Sequence, residues 1–346
     1  MFRFILLVIL SWAFVSLSAQ GKRGFQFVER KEQKQVDVLY NNQLLTAYCF
    51  YDSSRKPVLF PVNTVEGITV TRSYPFRIVP GERTDHPHHT GIWLNYESVN
   101  GLDFWNNSTA IPVEKRHLYG TIRHQKIISH QTEGSRATLK TTSTWERPDS
   151  KVLLNEATTL HFSVQGSTFF IDRITTLTAT DTVVLFKDVK DGMVAIRVAR
   201  ELEMPSKDAT QFVDNHGNVT TVAATDNKGV TGMYYASNGL TGDAVWSSKG
   251  PWAMLVGKKE GKNITIGIID HPSNVGYPTY WHARGYGLFA ANPLGRNIFS
   301  KGAESLNFSL QPGASATFRY RFVIQTGKAG TKEEMQQWAA DFAKKK

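Results

Sequence analysis

Cysteine is nearly absent from this sequence. Cys49 is the only one among 346 residues, so no internal disulfide forms and a small disulfide-stapled scaffold is excluded. A chain of this length is stabilised by a sizeable apolar core instead. The signatures of nucleotide and serine-hydrolase chemistry are missing too. No G-x-x-x-x-G-K loop, no G-x-G-x-x-G after a strand and no G-x-S-x-G elbow occurs. A clustered basic stripe is lacking as well. The formal net charge is +10, but the cations are scattered apart from the tail Lys344, Lys345 and Lys346. Nucleic acid is therefore not an expected partner.

Long apolar runs are limited to one, "FILLVILSWAFVSL" after Arg3, followed by the small residues of "SAQG". That pattern predicts a secretory signal peptide over residues 1–19, cleaved after Ala19. No other run reaches the length of a membrane helix, so stable membrane insertion is not expected. The expected protein is periplasmic or secreted, with residues 20–346 forming one domain and the oligomeric state left open.

What is abundant is the short strand. Segments rich in Thr, Val, Ile, Phe and Tyr alternate with period two between Gly, Asn, Asp and Pro. In "ATFRYRFVIQ", Phe318, Tyr320 and Phe322 share one face, and Thr317, Arg319 and Arg321 the other. "SRATLKTTSTW", "KVLLNEATTLHFSV" and "STFFIDRITTLTA" predict long consecutive strands, and "GITVTR" a shorter one. One helix stands out, "TKEEMQQWAADFAKKK", with Thr331 and Glu334 placed as a capping box. The fold class is all-β: a large antiparallel β-sandwich with one C-terminal helix. Residues 73–118 and 203–252 read as long loops over the sheet ends. Cys49 sits in an apolar strand pattern and reads as core.

Three segments concentrate chemistry. "RTDHPHHTGIWLNYESVNGLDFW" carries Arg83, Asp85, His86, His88, His89, Trp93, Asn95, Asn100, Asp103 and Trp105. Three metal ligands from four consecutive residues are geometrically awkward. An extended backbone at Pro87 is expected to point His86 and His88 one way and His89 the other. Acid–base chemistry suits the cluster better, with Asp85 or Glu82 orienting a ring. Aromatic plates beside short amides and acids are also how a sugar is held. No cofactor is expected, with a histidine-bound metal as the alternative.

The second segment, "VLFKDVKDGMVAIRVARELEMP", supplies Lys187, Asp191, Arg197 and Glu201. Read as one strand to its end, it puts Arg197 and Glu201 on a shared face, and Lys190 and Glu203 on solvated surface. Arg197 lies inside an apolar pattern and needs a partner. The third, "DHPSNVGYPTYWHARGYGLFAANPLGR", supplies His271, Tyr280, Trp281, His282, Arg284 and Asn292 in what reads as a loop. Pairing His282 with one of His86, His88 or His89 gives an acid and a base around one ligand.

The three segments, in this order and spacing, resemble the PmoA-like (methane-oxygenase-like) family of exported bacterial proteins. That resemblance implies an exported β-protein associated with carbohydrate use and carries no catalytic assignment. The strand series from "NEATTLHFSV" to "VLFKDVKDG" also resembles the galactose mutarotase-type supersandwich, a fold of epimerases, lyases and glycosidases. The expected function is a carbohydrate-active enzyme using histidine acid–base chemistry as a lyase, hydrolase or epimerase. Its expected partner is a carbohydrate substrate or ligand. A non-catalytic carbohydrate-binding protein and a metal-dependent hydrolase or oxygenase are the alternatives.

Overall fold

A computed structural model describes residues 24–224 and 226–345. The signal segment expected over residues 1–19 lies outside these described residues.

Two eight-stranded antiparallel sheets face each other across an apolar interior. The first sheet runs in the order Phe25–Arg30, Gln35–Tyr40, Gln43–Cys49, Val58–Val62, Ile92–Tyr96, Gly192–Arg197, Leu288–Asn292, Tyr280–Arg284. The second runs Met233–Ala236, Trp252–Lys259, Lys262–Asp270, Ser315–Thr326, Thr168–Ala179, Val152–Gln165, Arg136–Glu146, Thr121–Glu133. The alternation in the sequence decides which side chains fill the space between them. Phe318, Tyr320 and Phe322 are buried in the interior, as their period predicts. The large sandwich and the C-terminal helix expected from the sequence are both present. That helix, Lys332–Ala343, starts at Thr331, whose side chain accepts from the Glu334 N–H while Glu334 reaches back.

Each sheet also has an outward face, and the two are covered differently. On the second sheet, Met335 and Phe342 of the helix pack on Phe170, Trp252, Met254 and Ile269. On the first sheet, Trp93, Trp105, Ala195, Leu288 and Ala290 form a separate apolar cluster, edged by Tyr286. Among the described residues no helix is long and apolar enough to cross a membrane.

Three local expectations are corrected. "GITVTR" forms only isolated bridges, Asn63 with Thr69 and Thr71 with Val198. Residues 73–118 contain Ile92–Tyr96, an internal strand of the first sheet, so they are not one long loop. The strand in "MVAIRVARELE" stops at Arg197, and Arg200–Leu202 is a 3-10 turn.

Candidate functional site

The outward face of the first sheet gathers most of the polar residues singled out by the sequence. Across four neighbouring strands, His282 pairs with Ala290, Ala290 with Ala195, and Ala195 with Trp93. The next row sets Arg284 opposite Leu288 and Leu288 opposite Arg197. Tyr280, Trp281 and Ala283 show the consequence of period two. Trp281 and Ala283 belong to the interior, so Tyr280, His282 and Arg284 face outward. The expected loop around Tyr280 to Asn292 is therefore a strand hairpin, and Trp281 is not a plate beside His282.

Residues 83–89 lie over this face and are held by one buried cation. Arg72 donates to the carbonyls of Arg83 (3.3 Å), Asp85 (2.7 Å), His86 (2.8 Å) and His89 (3.0 Å) and to Asp85 Oδ1 (2.7 Å). Arg197, fully buried, donates to Asp85 Oδ1 at 2.7 Å and lies 3.3 Å from His89 Nδ1. Burial would raise the Asp85 carboxyl, but Arg197, then His86 and Arg72, hold it well below the usual carboxylate range.

The backbone at Pro87 turns instead of extending. The His89 N–H donates to the His86 carbonyl at 2.9 Å, and proline is well suited to the second position of such a turn. The expected split of the rings is thereby corrected. His86 and His89 stack, with centroids 4.8 Å apart and planes within 2°, while His88 meets both edge-on. His86 also stacks on Tyr286 at 5.0 Å, and His89 on Trp93 at 5.3 Å. Burial pushes His88 and His89 well below the usual histidine range, with Lys56 adding to the effect on His88 and the other histidines and Arg197 on His89. The His86 side chain is 39% exposed, and its Nδ1 lies 3.2 Å from Asp85 Oδ2. That contact has ion-pair distance without hydrogen-bond alignment. His86 is also the one member of the cluster with φ in the left-handed region, at 43°. Strain of this kind concentrates at functional sites.

A second layer of charge lies beneath. Glu203 Oε2 accepts from Arg83 Nε at 2.7 Å and Arg200 Nη1 at 2.8 Å, with Arg197 3.9 Å from Oε1. Glu203 is 1% exposed, which corrects its reading as solvated surface. Glu201, one turn away, points elsewhere and pairs with Lys259 at 2.5 Å. The sharing of a face by Arg197 and Glu201 fails because the strand ends between them.

His282 belongs to a neighbouring cluster. Its Nδ1 lies 3.1 Å from the Lys190 carbonyl and 3.4 Å from Asp191 Oδ1, and burial pulls it down to about 4 against the opposing pull of Asp191. Asp191 in turn accepts from Lys190 Nζ at 2.7 Å. Glu97 is raised by burial and by Asp191 and Asp103, and Asp103 by burial. Lys56 stands between the two clusters. Its Nζ donates to the His88 carbonyl at 2.7 Å and lies 5.3 Å over Trp93. Burial lowers it to about 7, opposed by Asp103.

An open cleft of about 780 Å³ runs beside the histidine loop, lined by Arg83, Asp85, Trp246, Arg284 and Tyr286 among others. Arg284 lies over Trp246 (5.7 Å) and Tyr286 (6.0 Å). Seventeen side-chain polar atoms among the described residues are sealed from solvent without a partner. Eight of them, on Arg72, Arg83, Thr84, His86, His88, Trp93, Asn95 and Arg197, sit on this face. Buried polar groups are normally paired, and on this face the exceptions are concentrated. No three His, Cys, Asp or Glu side chains among the described residues group as metal ligands.

Other sequence candidates serve the fold. His271 lies at the end of the second sheet, bonded to Ser273 Oγ and the Lys345 carbonyl, so it is not paired with the histidine loop. Asn100 has φ 50° and Gly101 φ 79°, the geometry of a tight hairpin turn, and the Asn100 amide clips Val183 and Leu185. Asn292 spends its amide on Val189, Lys190, Leu294 and Gly295. Tyr280 donates to Glu304, Asp103 accepts from Asn106, and Asn95 donates to the Phe104 carbonyl. Lys187 is exposed, and its backbone is engaged, the carbonyl by Tyr96 and the N–H by the Ser98 carbonyl. Glu82 caps the Ser73 and Tyr74 amides and does not orient a histidine. Arg72, Lys56 and Trp246 were missed by sequence reasoning.

Fold and site together define a β-sandwich with a polar cleft on one outward sheet face. The chain belongs to DUF6807, a family of unknown function whose model matches residues 35–340. No curated protein matches it by sequence. Among solved structures it is similar to the galactosidase domain of the alpha-galactosidase-sucrose kinase AgaSK. The TM-score is 0.42 at 9% identity, over 88% of this chain and 42% of that one. It is also similar to an alpha-galactosidase from Lactobacillus brevis (0.35, 10%, 91% and 41%). A galactose 1-epimerase from Lactobacillus acidophilus NCFM gives 0.33 and 11%, over 89% and 99%. The chain thus spans under half the length of either galactosidase. These superpositions are loose, and no residue role passes across them. None of the comparisons supports the PmoA-like resemblance.

Proposed function

We propose that the cleft binds a carbohydrate and that His86 transfers a proton on it, in a protein acting outside the cytoplasm. The observation that carries this reading is the His86–Asp85 pair beside the cleft. Imidazole is the side chain suited to give and take protons near neutrality. The Asp85 carboxylate, kept ionised by Arg197 and Arg72, faces Nδ1 and so favours a proton there. The other ring nitrogen is then free to work on a ligand. Tyr286 and Trp246 supply aromatic faces on the cleft, and Asp85, Arg83 and Arg284 supply polar forks for hydroxyls. His88, His89 and His282, all buried and depressed, support this layout as neutral groups, His89 against Arg197, His282 against the Lys190 carbonyl and His88 edge-on to its two neighbours.

Incubation with a panel of free sugars and glycosides in deuterium oxide tests the reading. The expected result is conversion, or incorporation of deuterium at a ring carbon, for at least one member. Binding without either change would leave a carbohydrate-binding protein. The export proposal rests on the pattern at residues 1–19, and the mass of the chain recovered from its native host tests it.

A further inference from the structure

We infer that the sugar taken by this cleft carries a carboxylate, seated between Arg83 and Arg284. The inference rests on the carbohydrate reading above and names the substrate class of the same site.

The two arginines line the cleft, and each is unusual in its pairing. Arg83 is 4% exposed, and its Nη2 is sealed without a hydrogen-bond partner, although its Nε is held by Glu203. Arg284 is exposed, and among the described residues no carboxylate lies within ion-pair distance of it. What positions it is the pair of aromatic faces, Trp246 and Tyr286. Guanidinium groups stacked on aromatics keep their N–H edges available for a planar acceptor.

Behind them, Arg72, Arg83, Arg197 and Arg200 form ion pairs with Asp85 and Glu203, and Glu82 and Asp226 act on Arg72 and Arg200 from further off. The other acids on the cleft wall are Asp208 and Asp243; Asp208 accepts from Ser206 Oγ at 2.9 Å. A carboxylate matches two guanidinium edges by accepting paired N–H donors. An anionic sugar substituent is the shared chemistry, and sulfate esters are its other source.

Calorimetric titration of the full chain with glucuronate and galacturonate, their neutral counterparts and the matching 6-sulfates decides the point. At least one uronate is expected to bind about tenfold or more tighter than its neutral sugar. The advantage is expected to shrink with added salt and to vanish in Arg284→Gln, whose exposed site leaves the melting temperature unchanged. Equal affinity for uronate and neutral sugar, or a preference intact in Arg284→Gln, overturns the inference and leaves the sugar reading standing. Tight sulfated sugars with weak uronates overturn the carboxylate assignment. If no sugar of any charge binds, the carbohydrate reading itself falls.

Discussion

The two outward sheet faces use the same residue types to opposite ends. On the second sheet, Arg321 meets Asp172 through two hydrogen bonds, at 2.6 and 2.8 Å, and Lys345 adds a third at 2.8 Å. Phe170 and Phe342 enclose the guanidinium at 5.2 and 4.9 Å, and no atom of the trio is left sealed and unpartnered. The first sheet has Arg72, Arg83 and Arg197 around Asp85 and Glu203, each arginine with a sealed, unpartnered nitrogen. Both sets border a cleft, Arg321 and Lys345 one of about 960 Å³ and Arg83 and Asp85 one of about 780 Å³. Only the first-sheet set leaves arginine nitrogens without a partner.

The largest effect should come from opening the closed pair. Asp172→Asn strands Arg321 in a buried setting, which costs about 3–5 kcal/mol, read by urea unfolding, with ligand binding unchanged. An equal loss of binding would mean that the two faces are not separable.

The pH response sharpens the contrast, because His282 on the first sheet and Asp270 on the second are displaced in opposite senses. His282 is pulled down to about 4, whereas an unfolded histidine titrates near 6.5. The unfolded chain takes the proton first, so this contribution falls as pH drops from about 6.5 through about 4, by about 3 kcal/mol. Asp270, at the end of a second-sheet strand, is pushed by burial up to about 7. Its contribution is present below about 4 and falls as pH rises toward 7. His282→Asn should gain on wild type as pH falls, and Asp270→Asn should gain as pH rises. Parallel curves for both variants would contradict the assignment.

Asp85→Asn is expected to cost a similar amount to Asp172→Asn, about 3–5 kcal/mol, because it leaves the buried Arg72 without its ion-pair partner and Arg197 with Glu203 alone. It should also abolish turnover of any substrate the panel identifies. Glu201→Ala should be the smallest change, under about 0.5 kcal/mol for an ion pair with an exposed partner, with turnover intact.

The sandwich was legible because period two survives in single strands such as Phe318–Tyr320–Phe322, and the helix because its cap is local. The three histidines, Arg197 and Arg284 were also legible, as polar residues inside apolar or aromatic patterns. The same period, applied to "YWHAR", separates Trp281 from His282, yet the two read as partners by composition. Glu203 and Glu201 look alike in sequence, and only the turn after Arg197 decides which one is buried. Arg72 and Lys56 were illegible for a different reason. Their role lies in carbonyls 11 to 32 residues away, and no local pattern encodes such a contact. The turn at Pro87 was misread because proline fits both an extended chain and a turn.

The most direct test is His86→Gln, assayed for binding and turnover on the sugar the panel selects. The half-exposed ring makes misfolding a small concern, and melting temperature checks it. The account predicts a dissociation constant within a few-fold of wild type and turnover lower by about 10²–10⁴. Turnover equal to wild type in a folded His86→Gln protein would contradict it.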